Sequence, residues 1–277
     1  MSECNHNCNE CTEKCDAPVT EKTNSLSRIK RVVAVVSGKG GVGKSAVTAL
    51  LTTGMSKKGH MCAVLDADIT GASVPKMFGV SGNVTGDELG IYPAETPAGT
   101  RLISSNLLLE HDTDPIVWRG PIIAGMVKQF WTDVVWGDVD YMFIDCPPGT
   151  GDVPLTVFQS VKVDGIVVVA TPQELVSMIV EKAVNMANMM KIPVLGLVVN
   201  MSYVACPHCG ERIDMFGTST AISAVAQKFG IPILAEIPYD KKIVQAADGG
   251  KIESLDVHYV DSAVDIIESG LPVTESH

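Results

Sequence analysis

Short apolar runs recur along this chain, separated by longer stretches with helical periodicity. The runs are Val32–Val36, Cys62–Leu65, Tyr141–Ile144, Gly165–Ala170, Val194–Val199 and Ile231–Ile237. They are nearly all apolar rather than alternating, which predicts parallel strands buried on both faces. Helical patterns lie between most of them, as in Ser45–Lys57, Gln173–Met190 and Thr218–Phe229. This alternation predicts an α/β fold, a doubly wound, mostly parallel sheet flanked by helices. Such sheets bind ligands at the carboxyl ends of their strands. The Gly-, Pro- and Thr-rich stretch 82–100 reads as an excursion, with a hairpin expected between Leu89–Tyr92 and Arg101–Ser104.

The pattern divides the chain into residues 1–27, 28–270 and 271–277. The first segment has no periodic apolar residues and cannot build a core, so a disordered, Cys-rich tail is expected there. The second is the folded domain, and the third a short C-terminal tail. At 277 residues with 46% hydrophobic content, the chain can bury a substantial core. No apolar run approaches the ~20 residues that cross a bilayer. The polar N-terminus lacks the apolar segment of a secretory signal. A cytoplasmic protein is expected, in which eight cysteines point to metal or catalysis rather than disulfides.

The net charge of −11 argues against nonspecific nucleic-acid binding. After Lys251 there is no Lys or Arg, so a basic helix that would dock on anionic lipid is missing. Neither nucleic acid nor membrane is therefore expected as a partner.

The first apolar run leads into Ser37-Gly38-Lys39-Gly40-Gly41-Val42-Gly43-Lys44-Ser45-Ala46, which fits G-x-x-x-x-G-K-[ST]. Glycines there let backbone N–H groups converge on phosphates, and the following helix adds its positive end. Lys44 is placed for the β/γ-phosphates and Ser45 for Mg²⁺. Asp145 closes another apolar run, an arrangement whose carboxylate reaches Mg²⁺ directly or through water. Cys146-Pro147-Pro148-Gly149-Thr150-Gly151-Asp152 follows and fits a loop that switches with the terminal phosphate. Cys146 itself reads as a buried thiol. Asp66-Ala67-Asp68 ends the second run, and Asp68 is the preferred carboxylate for ordering Mg²⁺ or the attacking water. A helix-capping or turn aspartate is the competing reading. Asn200 ends a further run and can hydrogen-bond a base edge or hold a turn. Met201 stands where a guanine-specific N-K-x-D motif needs lysine, which favours ATP over GTP.

Two cysteine sets remain. Cys206-Pro207-His208-Cys209-Gly210 offers two thiolates to one metal, whereas a zinc S₄ site or an iron–sulfur cluster needs four. A symmetric dimer would supply the other pair. A zinc knuckle and a redox-active C-x-x-C are the alternatives. Cys4, Cys8, Cys11 and Cys15 lie within twelve residues and could wrap a second cluster or a zinc ion. Free thiols are the other reading. Cys62 reads as core.

The GKGGVGK loop, with its second lysine Lys39, resembles the deviant Walker A group of MinD, ParA, nitrogenase iron protein and Mrp ATPases. Further matching pieces are LDADITGAS (65–73), WRGP (118–121), IDCPPGTGD (144–152), TPQEL (171–175), VVNMSYVACPHCG (198–210) and IPYD (237–240). Together they span roughly residues 31–250, and the chain resembles the Mrp/ApbC-type, or Nbp-type, iron–sulfur cluster carriers. The resemblance implies a homodimer with slow ATP hydrolysis, in which Lys39 reaches the partner's nucleotide. It also implies a labile [4Fe–4S] cluster on Cys206 and Cys209 of both subunits, delivered to apo iron–sulfur proteins. Lys39, Lys44, Ser45, Asp68, Asp145 and Asn200 carry over by position. Thr70 and Ala72 depart from the Tyr and Pro usual in the family's DADIYGPS form. The alternatives are a zinc-stabilised MinD/ParA-like ATPase without cluster transfer, or a metallochaperone NTPase.

Overall fold

The structure is a computed structural model that describes residues 20–109, 120–173, 175–215 and 220–273. In chain order the elements begin with β1 (Arg28–Val36), α1 (Lys44–Lys57), β2 (Cys62–Asp66) and α2 (Val74–Phe78). Four short strands follow: β3 (Gly86–Asp87), β4 (Gly90–Ile91), β5 (Ala94–Glu95) and β6 (Arg101–Ile103). Then come α3 (Gly120–Thr132), β7 (Asp138–Asp145), α4 (Asp152–Ser160), β8 (Gly165–Ala170), α5 (Leu175–Met189) and β9 (Val194–Val199). The last part comprises β10 (Val204–Ala205), β11 (Arg212–Ile213), α6 (Thr220–Phe229), β12 (Ile233–Glu236), α7 (Lys241–Asp248) and α8 (Asp261–Gly270).

Among the described residues the main sheet has eight strands in the order β12-β9-β8-β1-β7-β2-β6-β5, parallel throughout except for β5. The non-alternating apolar runs explain the two-sided burial. Along β1, Val32, Ala34 and Val36 enter one core with side chains from α3, α4, α5 and α6. Val33 and Val35 face the other way, into a core shared with α1, α2, α7 and α8. The sheet is thus doubly wound, as the alternation of elements predicts. No helix among the described residues is long and apolar enough to cross a membrane.

The expected hairpin between residues 89–92 and 101–104 does not form. Gly90–Ile91 pairs instead with Gly86–Asp87 across a tight turn, in which the Asp87 carboxylate accepts from the Leu89 N–H at 2.8 Å. Arg101–Ile103 joins the main sheet, parallel to β2 and antiparallel to β5. The reason is burial: Leu102 and Ile103 are fully enclosed, which a surface hairpin cannot provide.

The polar residues before β1 are tied to the body. Glu21 N–H donates to the Ser160 carbonyl at 2.8 Å, and the Trp131 indole donates to the Glu21 carbonyl at 2.9 Å. At the other end, Arg31 donates to the Pro272 carbonyl and the Tyr141 hydroxyl to that of Leu271.

One contact joins two distant helix ends. Gly79 caps α2 with φ of +70°, and a Cβ there would stand 2.5 Å from the Gly250 carbonyl oxygen. Gly250, just past α7 with φ of +66°, would drive a Cβ to 2.6 Å from the Gly79 Cα. Only glycine at both positions permits this approach.

Candidate functional site

The loop between β1 and α1, the carboxyl ends of β2 and β7, and the start of the 146–151 loop meet at one edge of the sheet. Register explains the meeting: Val35 and Asp66 both lie opposite Asp145 on the two flanks of β7. Asp145 is fully buried, yet three donors reach it. The Lys44 ammonium pairs with its Oδ1 at 2.6 Å, the Thr48 hydroxyl donates to the same oxygen at 2.9 Å, and the Ser45 hydroxyl donates to Oδ2 at 2.5 Å. Thr48 sits one helical turn beyond Lys44, so both project from the same face of α1. Its part in the site was not anticipated from the sequence, because only tertiary contact distinguishes it from neighbouring threonines.

Lys44 is 6% exposed and also lies 3.8 Å from Asp68. Burial alone would lower its pKa, but the charge of Asp145 and its hydrogen bond, followed by Asp68 and Asp66, hold the ammonium above its ordinary value. It is a fixed cation. Burial raises the Asp68 carboxyl, partly offset by Lys44. Asp66 is enclosed, accepts from the Ser104 hydroxyl at 2.9 Å, and is pushed up to about 7 by burial and then by the charge of Asp145. The two aspartates two residues apart thus occupy different places, Asp68 beside Lys44 and Asp66 against Ser104. Burial lifts the Cys146 thiol to about 12, which makes it inert.

In the loop itself, Gly40 lies beside Pro148, and Gly41 and Gly43 have φ of +81° and +77°. Together with Ser37, Lys44, Ser45, Ala46 and Asp68, they line a cavity of about 260 Å³. Val42 turns its side chain into the core, and its carbonyl accepts from the Asn200 amide at 2.9 Å. Gly38 is half-buried and Lys39 exposed, without an ion pair among the described residues. A second cavity, of about 190 Å³, shares Gly43 and Ala46 with the first. Its remaining walls include Leu50, Asn200, Pro238, Tyr239, Ile243 and Val244, a mostly apolar slot. A polar cradle with a fixed cation, opening into an apolar slot, suits the phosphates and the base of one nucleotide.

Cys206 and Cys209 lie between β10 and β11, an antiparallel pair that follows β9. The Cys206 N–H donates to the Glu211 carbonyl and the Gly210 N–H to the Cys206 carbonyl, each at 2.9 Å, closing a tight loop. Arg212 steadies the loop by pairing with Asp214 at 2.8 Å and Glu236 at 2.9 Å, with its guanidinium 4.5 Å from the Tyr203 ring centroid. The backbone N–H groups of Cys209 and His208, then the Cys209 thiol, hold the Cys206 thiol below its ordinary value. A lowered thiol is readier to bind metal as thiolate. Cys209 is exposed. Among the described residues no three His, Cys, Asp or Glu side chains are grouped to hold a metal, and the loop itself offers two thiols. Cys4, Cys8, Cys11 and Cys15, and Trp118 and Arg119 of the WRGP piece, lie outside the described residues.

The fold and this edge of the sheet define a P-loop nucleotide-binding protein. Residues 28–269 match the ParA family model described as NUBPL iron-transfer P-loop NTPase, and the chain belongs to that family. An iron–sulfur cluster carrier protein of Methanocaldococcus jannaschii is 41% identical over 261 residues, covering 90% of each chain. One from Clostridium perfringens is 41% identical over 248 residues, covering 86% of this chain and 87% of the relative. A solved nucleotide-binding protein of Archaeoglobus fulgidus, in complex with ADP and with cobalt found in it, is 43% identical with a TM-score of 0.76, covering 90% of this chain and 95% of that one. The cell division ATPase MinD of Pyrococcus furiosus shares the fold at 21% identity and a TM-score of 0.59, covering 87% of this chain and 99% of its own.

Proposed function

We propose that the protein is an ATP-hydrolysing iron–sulfur cluster carrier that works as a homodimer. Cys206 and Cys209 of each subunit hold a [4Fe–4S] cluster between them, and the cluster passes to apo iron–sulfur proteins. The observation that carries this reading is a two-thiol loop, preset by backbone N–H groups and short of two ligands, on the same chain as a complete phosphate cradle. The relatives named as iron–sulfur cluster carriers support it.

Lys44 and the loop N–H groups neutralise the phosphates of ATP, and the apolar slot takes the base. The Ser45 hydroxyl and the Asp145 carboxylate to which it donates are hard oxygen groups at the foot of the cradle, and they would hold Mg²⁺, Ser45 directly and Asp145 directly or through water. Mg²⁺ supplies charge neutralisation of the phosphates when bound. Asp68, beside Lys44, orients the attacking water. Lys39 is exposed because it acts on the partner's nucleotide, and hydrolysis is slow.

The test is anaerobic reconstitution of the full chain with iron and sulfide. A brown dimer with broad absorption near ~400 nm is expected. Cys206→Ser and Cys209→Ser lose that absorption and keep nucleotide binding, and the wild-type dimer passes its cluster to an apo [4Fe–4S] protein. Stoichiometric zinc in the Cys206/Cys209 loop with no reconstitutable iron overturns the reading.

A further inference from the structure

Ser37 closes β1 and opens the phosphate loop. It is 1% exposed, and its hydroxyl has no hydrogen-bond partner among the described residues. A buried hydroxyl without a partner is costly, and native proteins keep few of them. Two things set this one apart from an accident of packing. Ser37 lines the phosphate cradle, on whose walls Lys44, Asp68 and Pro148 also lie. Its carbonyl meanwhile accepts the Gly149 N–H at 2.8 Å, which fixes the 146–151 loop to the end of β1. The surrounding groups sort the candidate partners. Asp145 already accepts from Lys44, Ser45 and Thr48, and the Gly149 N–H is used by the Ser37 carbonyl itself. What the hydroxyl lacks, an anionic oxygen in the cradle supplies.

We propose that Ser37 is a further nucleotide-site residue, whose hydroxyl donates a hydrogen bond to the terminal phosphoryl group of ATP. This rests on the nucleotide reading given above, and adds to it a residue that distinguishes ATP from ADP. The hydroxyl and carbonyl of one residue then contact the terminal phosphate and the 146–151 loop, so the hydrogen bonding of Ser37 is complete only in the triphosphate state. A hydrogen bond from a neutral donor to a charged oxygen, made by a group with no competing partner, changes affinity by roughly tenfold or more.

The test compares Ser37→Ala and Ser37→Cys with the wild type, using full-length protein, Mg²⁺, ADP and a nonhydrolysable ATP analogue. Cysteine keeps the volume with a poor donor, which separates the hydrogen bond from packing. Both variants are expected to bind the ATP analogue roughly tenfold more weakly, bind ADP within about twofold of wild type, and unfold without nucleotide at an unlowered midpoint. Unchanged affinity for the analogue in Ser37→Ala overturns the proposal. So does a lowered midpoint with ATP and ADP weakened alike, which is the mark of a packing role. If the wild type binds neither nucleotide, the broader nucleotide reading falls and takes this assignment with it.

Discussion

Asn200 leaves no room for a side chain at Gly43 of the phosphate loop. A Cβ on Gly43 would stand 2.2 Å from the Asn200 amide nitrogen, which donates to the adjacent Val42 carbonyl. The end of β9 therefore clamps the phosphate loop at the point where the two cavities join. Gly43→Ala suffers twice, from this clash and from a left-handed φ that costs a non-glycine residue about 1–2 kcal/mol. The variant is expected to lose at least that much unfolding free energy in denaturant titration. It should also lose its thermal stabilisation by ATP, and full retention of that shift would refute the clamp.

Lys44→Ala leaves the buried Asp145 without its cation. Removing one partner of a buried pair costs about 3–5 kcal/mol. Stability without nucleotide should fall on that scale, and nucleotide should no longer raise the unfolding midpoint. An unaltered nucleotide-free midpoint would show that Lys44 is not held by Asp145 in solution.

Asp66 gives the protein a pH dependence of definite sign. Its carboxyl ionises near 3.8 when unfolded and near 7 when folded, so between those values the native state holds a proton that the unfolded chain has released. The associated stability is complete below the lower value and is lost as pH rises through the upper one. The slope reaches at most about 1.4 kcal/mol per pH unit for one group. Urea titrations of nucleotide-free protein from pH 5 to pH 8 should show this decline, and Asp66→Asn should flatten it. A steeper decline in the variant than in the wild type would contradict the assignment.

Lys39→Ala separates binding from turnover. The side chain is exposed and unpaired among the described residues, so the substitution should change folding stability by no more than about 0.5 kcal/mol. Under the dimer reading, nucleotide affinity stays near wild type and hydrolysis by the assembled dimer falls. Wild-type turnover in Lys39→Ala would remove the interfacial role.

Removing residues 1–19 takes away Cys4, Cys8, Cys11 and Cys15 while sparing Glu21 and its bond to Ser160. If those four thiols hold a cluster of their own, iron per chain after identical anaerobic reconstitution falls in part, and the Cys206/Cys209 absorption remains. Equal iron in both proteins would rule out a tail cluster.

What could be read in advance follows from how local each signal is. Gly165–Ala170 and Val194–Val199 are apolar at every position, and such runs have few alternatives to a central strand. The run Arg101–Ile103 is only three residues long and begins with a charge, so its place in the main sheet depended on partners that no window of sequence contains. The phosphate loop was legible because its spacing is itself the mechanism. Thr48, Ser104 and the buried Ser37 were not, since a hydroxyl has no identity until the fold gives it a neighbour. Asp66 and Asp68 stand two residues apart in one motif, yet which one meets Lys44 depends on how the chain turns as it leaves β2. Asn200 at a strand end suits a base edge or a turn equally in sequence, and in the fold its amide nitrogen goes to the phosphate loop.

The contact of Gly79 with Gly250 works as a mechanical stop. It joins the end of the helix that follows Asp68 to the end of the helix whose Ile243 and Val244 wall the apolar slot. Backbone already touches backbone, so these helices can separate but cannot close further, and no side chain between them can be trimmed to give more travel. The slot's far wall is thereby set at a minimum distance from the Asp68 segment, whatever occupies either cavity.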